Sequence, residues 1–256
     1  MNFKTLLTAS SIALAFTATP ASALTVDGIT WDPNSVVDFT TTGVIWEESP
    51  SLVIGSTVQG FGSFNLFNGA DTATYGGGTN LLTFAFNVEL TDYTAINATS
   101  GFFEYTGSVD VYSTLTSVYS PTNTSAAELA TQTYANATSG TSFLTTTLTD
   151  ADLTGIGLNF ANPASASGTG NGWLDVTGGS AATYFDTNTQ TDPNFNDADF
   201  TFSSSFNAAP NQHPVGYPTT GTVTVTGDSI NVPEPTTIAL LGLGLLGLGA
   251  RKRKQS

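Results

Sequence analysis

The groups of this chain that could do chemistry are few in kind. Glu47, Glu48, Glu89, Glu104 and Glu128 could supply the paired carboxyls of glycoside hydrolysis, which must sit about 5–10 Å apart. Spacing in sequence does not set that separation, and Glu89 falls on the polar side of an alternating strand, where a solvated carboxylate is ordinary. His213 is the only histidine. A Ser-His-Asp arrangement would have to use it, yet no G-x-S-x-G elbow is present, and its Pro-, Gly- and Asn-rich surroundings read as an exposed polar loop. Asp186, Asn188, Gln190 and Asp192 place oxygen-bearing side chains at alternating positions, as a Ca2+ loop does, and Asp197 and Asp199 follow. The sixth-position glycine and twelfth-position glutamate of an EF-hand are missing. An Asx-rich turn is therefore the favoured reading and Ca2+ the alternative; no other cofactor is expected. Trp31, Trp46 and Trp173 could stack on sugars, although aromatic rings in a β domain more often fill the core. Asn97, Asn123 and Asn136 open N-x-[ST] triplets.

Strands must position these groups. Leu82, Phe84, Phe86, Val88 and Leu90 alternate with Thr83, Ala85, Asn87 and Glu89, the period-2 pattern of a half-buried strand. Thr222–Thr226 and Asp199–Ser204 alternate in the same way. Further strands are expected at Val36–Thr40, Gly43–Trp46, Ser51–Val58, Phe61–Phe67, Phe102–Val111, Tyr112–Tyr119, Gly172–Val176 and Ala182–Phe185. Abundant threonine favours the pleated surface while keeping it soluble. Gly76–Gly78, Gly178-Gly179 and Gly168–Gly172 read as turns between strands. The one helical candidate lies near Ser125–Tyr134. Many short strands with no βαβ rhythm predict an all-β domain, a β-sandwich or jelly roll. Asn162–Gly172 and Asp186–Asn196 are the best loops, and no second-domain linker is evident.

The cations sit at the two ends. Lys4, Arg251, Lys252, Arg253 and Lys254 are all five, so nothing from Thr5 to Ala250 is Lys or Arg, against 20 acids in the whole chain. At the start, Lys4, an apolar stretch from Leu6 to Ala18 and the small-residue site Ala21-Ser22-Ala23 read as a secretory signal helix over 1–23. At the other end, Val232-Pro233-Glu234-Pro235-Thr236-Thr237 precedes thirteen Ile, Ala, Leu and Gly residues, 238–250, and then the basic tail 251–256. As a helix that run rises about 20 Å, short of a hydrocarbon core of roughly 30 Å, and its glycines weaken it. Its basic flank belongs on the cytoplasmic side. Such a weak anchor suits temporary retention in the inner membrane.

This arrangement resembles the PEP-CTERM sorting signal of Gram-negative, exopolysaccharide-producing bacteria. The matching residues are Pro233, Glu234 and Pro235 with Val232 before them, the apolar run to Ala250, and Arg251 to Lys254. The resemblance implies recognition by an exosortase, a membrane Cys protease, with the tail removed and the protein released or attached at the surface. The segments Gly172–Asn188 and Ala198–Phe206 also resemble a stretch of PEP-CTERM proteins tied to flocculation, which implies a matrix or aggregation role.

The secreted part, residues 24–231, then holds 19 of the 20 acids and no Lys or Arg. Such a domain repels nucleic acid and lacks the cations that hold phosphate or carboxylate substrates. With no cysteine it has no disulfides and no thiol chemistry. The expected function is a non-enzymatic, exported surface or matrix protein of biofilm or floc. Its expected partners are signal peptidase and exosortase during export, and exopolysaccharide afterwards. A carbohydrate- or Ca2+-binding module is the alternative, and an extracellular hydrolase is third.

Overall fold

A computed structural model of the chain describes residues 23–35, 39–48, 51, 53–122, 124–149, 153–159 and 165–230. The chain opens with the hairpin β1 (Leu24–Val26) and β2 (Ile29–Trp31), then β3 (Phe39–Glu47) and β4 (Thr57–Phe64). The short β5 (Leu66–Phe67), β6 (Ala70–Asp71) and α1 (Thr72–Tyr75) lead into two long strands, β7 (Asn80–Ala95) and β8 (Ser100–Leu115). Two helices follow, α2 (Ala126–Thr131) and α3 (Tyr134–Ala137), then β9 (Thr141–Leu148), β10 (Leu153–Leu158) and β11 (Ser167–Gly178). Last come α4 (Ala182–Phe185), β12 (Gln190–Thr191), β13 (Asp197–Ala198), β14 (Phe200–Ala208) and β15 (Thr219–Gly227).

Hydrogen bonding runs β11-β14-β15-β3-β4-β7-β8, all antiparallel. β10 bridges the early part of β8 (Ser100–Tyr105) to the early part of β11 (Ser167–Asn171). β9 bridges Ser108–Ser113 of β8 to Leu174–Gly178 of β11. The two therefore share one position, and the sheet closes as an eight-position barrel. The class is all-β as expected, and the pairings refine the architecture from two packed sheets to one sheet closed on itself. Period-2 alternation is common to sandwich and barrel strands, so only the pairing separates them.

The inward side carries the long alternation. Leu82, Phe84, Val88 and Leu90 of β7 join Ile45, Val58, Phe103, Leu174, Val223 and Val225 in one buried cluster, with Phe86 packed against it. Glycines inside the strands seat the rings: Gly60 pairs with Phe86, Gly62 with Phe84, Gly168 with Phe206 and Gly227 with Phe200. A Cβ at any of these glycines would collide with the ring opposite. Each ring therefore lies along the sheet, covering backbone that glycine leaves bare. This corrects the reading of Gly168–Gly172 as a turn, since those residues lie within β11. Gly76–Gly78 do form a turn, and Gly179, at φ +102°, begins the chain reversal after β11.

An aromatic plug fills the end of the barrel where β3 and β14 begin and β4 finishes. Trp31 packs on Phe67, Phe143, Tyr184 and Phe185, and Phe39 on Phe64, Phe67, Phe185 and Phe200, mostly edge-to-face with centroids 4.9–6.1 Å apart. A smaller cluster of Trp46, Phe61, Leu81, Ala85, Tyr119, Ala137 and Ala209 lies on the outward side, so β7 is covered on both faces over part of its length. Thr83, expected on a polar face, is buried there and donates to the Ala137 carbonyl at 2.6 Å.

Other local expectations shift. Residues 53–56 turn, and β4 starts only at Thr57. Ala182–Phe185 is a helical turn whose Phe185 enters the plug, not a strand. The strands expected at 102–111 and 112–119 are one strand, β8. The helix near Ser125 is present as α2, its N-terminus capped by Ser125, whose Oγ accepts from the Glu128 N–H and donates to the Glu128 carboxylate. Of the signal helix expected over 1–23, all but Ala23 lies outside the described residues, as does the run 238–250. Among the described residues no helix is long and apolar enough to cross a membrane.

Candidate functional site

Glu47 is half-buried at one end of the barrel, with its carboxyl lining the lumen. It shares strand parity with Phe39 and Ile45, so its side chain enters the lumen that those apolar residues line. The lumen leaves a cavity of about 100 Å3, walled by Val58, Phe64, Phe84, Phe86, Val223 and Val225 among others. Phe64 and Phe84 stack at 4.7 Å toward the plug, whereas Glu47, at the last position of β3, lies at the opposite end. No described group hydrogen-bonds its carboxyl. Burial alone pushes Glu47 up to about 8, so near neutral pH it is mainly the neutral acid. Tyr105, at the same end on β8, is pushed up to about 12, chiefly by burial and then by the neighbouring Glu47. A Cβ on Gly60 would lie 2.9 Å from the Glu47 Cβ as well as colliding with Phe86, so the bare glycine lets ring and carboxyl share one corner.

The other glutamates do not join it. Glu48 is exposed; Glu89 and Glu104 are exposed on the outside of the barrel. Glu104 pairs across strands with the equally exposed Asp92. Glu128 accepts from the hydroxyls of Thr122, Thr124 and Ser125 at 2.6–3.0 Å, bonds that hold its carboxyl down to about 2. It is a helix cap.

His213 is not the exposed loop residue expected. It is 4% accessible and packs against Trp46, Phe61 and Tyr217, with centroids 4.7–6.3 Å away. The Val215 N–H donates to its Nδ1 at 3.2 Å, and its buried Nε2 has no hydrogen-bond partner. Burial lowers its pKa, partly offset by the Gln132 backbone. Four rings attract one another here because the sequence puts Trp46 and Phe61 on the outward faces of β3 and β4, under the 209–218 loop.

The aspartates proposed for Ca2+ have separate duties. Asp199 is fully buried and accepts from the N–H groups of Val176, Thr187 and Asn188 at 2.6–2.7 Å, tying the loop to β11. Asp192, also buried, accepts from the N–H groups of Asn194 and Asn196 and from the Asn196 amide at 2.8–2.9 Å, an Asx-type turn. Asp186, Asn188 and Asp197 are exposed. Asp175 on β11 is shifted upward by burial first, then by the charges of Asp199, Asp186 and Asp197. Among the described residues no three His, Asp or Glu side chains are placed to hold one metal ion.

The tryptophans do not form a platform. Trp31 and Trp46 are buried, with indole N–H groups on Ser229 Oγ at 3.3 Å and Gln132 Oε1 at 2.8 Å. Trp173 alone is half-exposed, beside a shallow outer groove with Asn171, Thr201, Ser203 and Thr224. Of the N-x-[ST] sites, Asn97 is exposed but bonds the turn at Thr99 and Ser100. Asn136 is half-buried and donates to two backbone carbonyls. Asn123 lies outside the described residues. So do Ala21, Pro233, Glu234, Pro235 and the basic Arg251, Lys252, Arg253 and Lys254; Ala23 is exposed.

Residues 231–254 match the PEP-CTERM protein-sorting motif. The match covers the tail alone and not the barrel, and the likeness to flocculation proteins finds no support in it. Comparison with curated proteins and with solved structures found no match. The motif marks the protein as an exosortase substrate exported toward the cell surface.

Proposed function

We propose that this exosortase-sorted chain is a non-enzymatic component of the cell surface or extracellular matrix, acting in exopolysaccharide-associated biofilm or floc formation. The observation that carries the reading is the sorting motif at 231–254, joined to an exported part without Lys or Arg. On this reading signal peptidase removes residues 1–23. The apolar run 238–250 then holds the precursor in the inner membrane of a Gram-negative cell until the exosortase acts. The absence of catalysis is supported by how the candidate groups are engaged. His213 is caged by rings, Glu128 caps a helix, and Glu89 and Glu104 lie on the outside of the barrel, away from Glu47.

The carbohydrate-binding alternative keeps one support, the half-exposed Trp173 beside Thr201 and Ser203. Ca2+ binding would draw on Asp186, Asn188, Asp192, Asp197 and Asp199, of which Asp192 and Asp199 would have to exchange backbone N–H bonds for the ion, and calorimetry of the processed protein with millimolar Ca2+ tests it. For the main reading, Pro233→Ala with Glu234→Ala should leave precursor in the inner membrane. Unchanged processing would overturn the sorting step. Deleting the gene should reduce cell aggregation without altering secreted hydrolase activity; normal aggregation would overturn the matrix role.

A further inference from the structure

The lumen holds a polar group that the sorting role does not use. One carboxyl, Glu47, stands in a cavity lined mainly by Phe, Val, Leu and Ile, with Tyr105, Ser204 and Ser205 as the other polar side chains and no described group hydrogen-bonded to the carboxyl. A solitary acid at the end of an apolar tube weakens folding unless something compensates it. We propose that the barrel lumen binds a small, slender molecule with an apolar body and one amine group, the amine seated on Glu47. This inference goes beyond the sorting and matrix reading and does not depend on it.

Three observations fix the ligand class. The cavity, about 100 Å3, has room for about eight non-hydrogen atoms, counting one per water-sized site. Its walls are mostly rings and branched aliphatics, broken by Gly170, Ser204 and Ser205, which suits an alkyl or single-ring body. At the Glu47 end the ring of Phe86 shares the corner left bare by Gly60, so an ammonium meets a carboxylate beside an aromatic ring. Charge selects against the other amphiphiles. The exported part has 19 acids and no Lys or Arg, so its field draws cations in and keeps carboxylate amphiphiles out.

Binding moves a proton. The resting acid faces Gly60 of β4, Thr219 of β15 and Tyr105 of β8, and of the described titratable groups Tyr105 is the one coupled to it. A protonated amine entering at pH 7 converts the Glu47 carboxylic acid to carboxylate and forms the ion pair. The carboxyl proton leaves to solvent, and the charge balances.

The test is calorimetric titration of n-hexylamine into the processed protein at pH 7, in two buffers of different ionisation enthalpy. Hexanol and hexanoate serve as the neutral and anionic comparators. The expected result is saturable hexylamine binding with release of close to one proton, about ten-fold tighter than either comparator. Glu47→Gln should remove the ten-fold preference and the proton release while leaving hexanol binding as it was. Val109→Phe, which fills the lumen, should abolish binding of all three. Hexylamine affinity unchanged by Glu47→Gln, or no saturable heat with folded wild-type protein, would overturn the proposal.

Discussion

Removing the charge from the lumen should change how stability depends on pH, and Glu47→Gln is the perturbation. In the folded barrel Glu47 ionises near 8, against an ordinary 4.5. The folded state therefore binds more protons than the unfolded chain between those values, and stability falls as pH rises. The contribution is complete below about 4.5, declines across 4.5–8 and levels off above about 8. A shift of about 3.5 units corresponds to about 5 kcal/mol, a ceiling that water in the lumen would lower. For a domain of this size that is a loss of about 10–20 °C in melting temperature. The variant keeps the shape and loses the titration. Melting both proteins at pH 5 and pH 9 should show a gap that opens in favour of Gln at the higher pH. The remaining carboxylates are common to both and cancel in the difference. Parallel curves, with the gap constant between the two pH values, would refute the enclosure of Glu47.

Three further outcomes follow from the same structure. His213 has a lowered pKa in its aromatic cage, so it contributes stability that is present above about 6.5 and lost as pH falls through its folded value. Melts of His213→Gln should therefore show a shallower loss than wild type between pH 6.5 and 5. Gly60→Ala puts a methyl group into the Phe86 ring and should cost about 1–3 kcal/mol in urea denaturation. Asp199→Asn removes the charge from a carboxylate that accepts three backbone N–H bonds, and should cost about 2–4 kcal/mol. Limited proteolysis with an enzyme that does not need Lys or Arg should then cut first within residues 186–198.

Most of the barrel was legible as strands and little of it as a barrel. The alternation Leu82 to Leu90 marked the inner wall correctly because burial on one face imposes period 2. β9 and β10 were missed: Thr141–Leu148 reads as polar, and Leu153–Leu158 is interrupted by glycines. The glycine-rich start of β11 misled for a related reason. A glycine opposite a phenylalanine looks like a turn signal until the partner strand is known. His213 went inside because partners 150 or more residues away in sequence, Trp46 and Phe61, come to it through the fold. Glu47 could have been found. Phe39, Ile45 and Glu47 share parity, and a carboxylate in that series is a polar group on an inward face. The tail needed no fold at all, since Pro233, Glu234, the apolar run and the basic end are recognised as a string.

Closure of the main sheet also governs how copies of this protein meet at a crowded surface. β proteins commonly join by adding strands to a free sheet edge. Here β9 and β10 fill the last position, and each is flanked by β8 and β11, so the barrel offers no edge. Neighbours are left with the two- and three-residue strands of the small side sheets and with side-chain contact, and the charged side chains of the exported part are all acids, without Lys or Arg to answer them. At low ionic strength copies should hold apart, and divalent cations or a cationic polymer should bring them together. Any cohesion this protein gives a matrix is then an ionic gelation controlled by the medium, not a polymerisation written into its backbone.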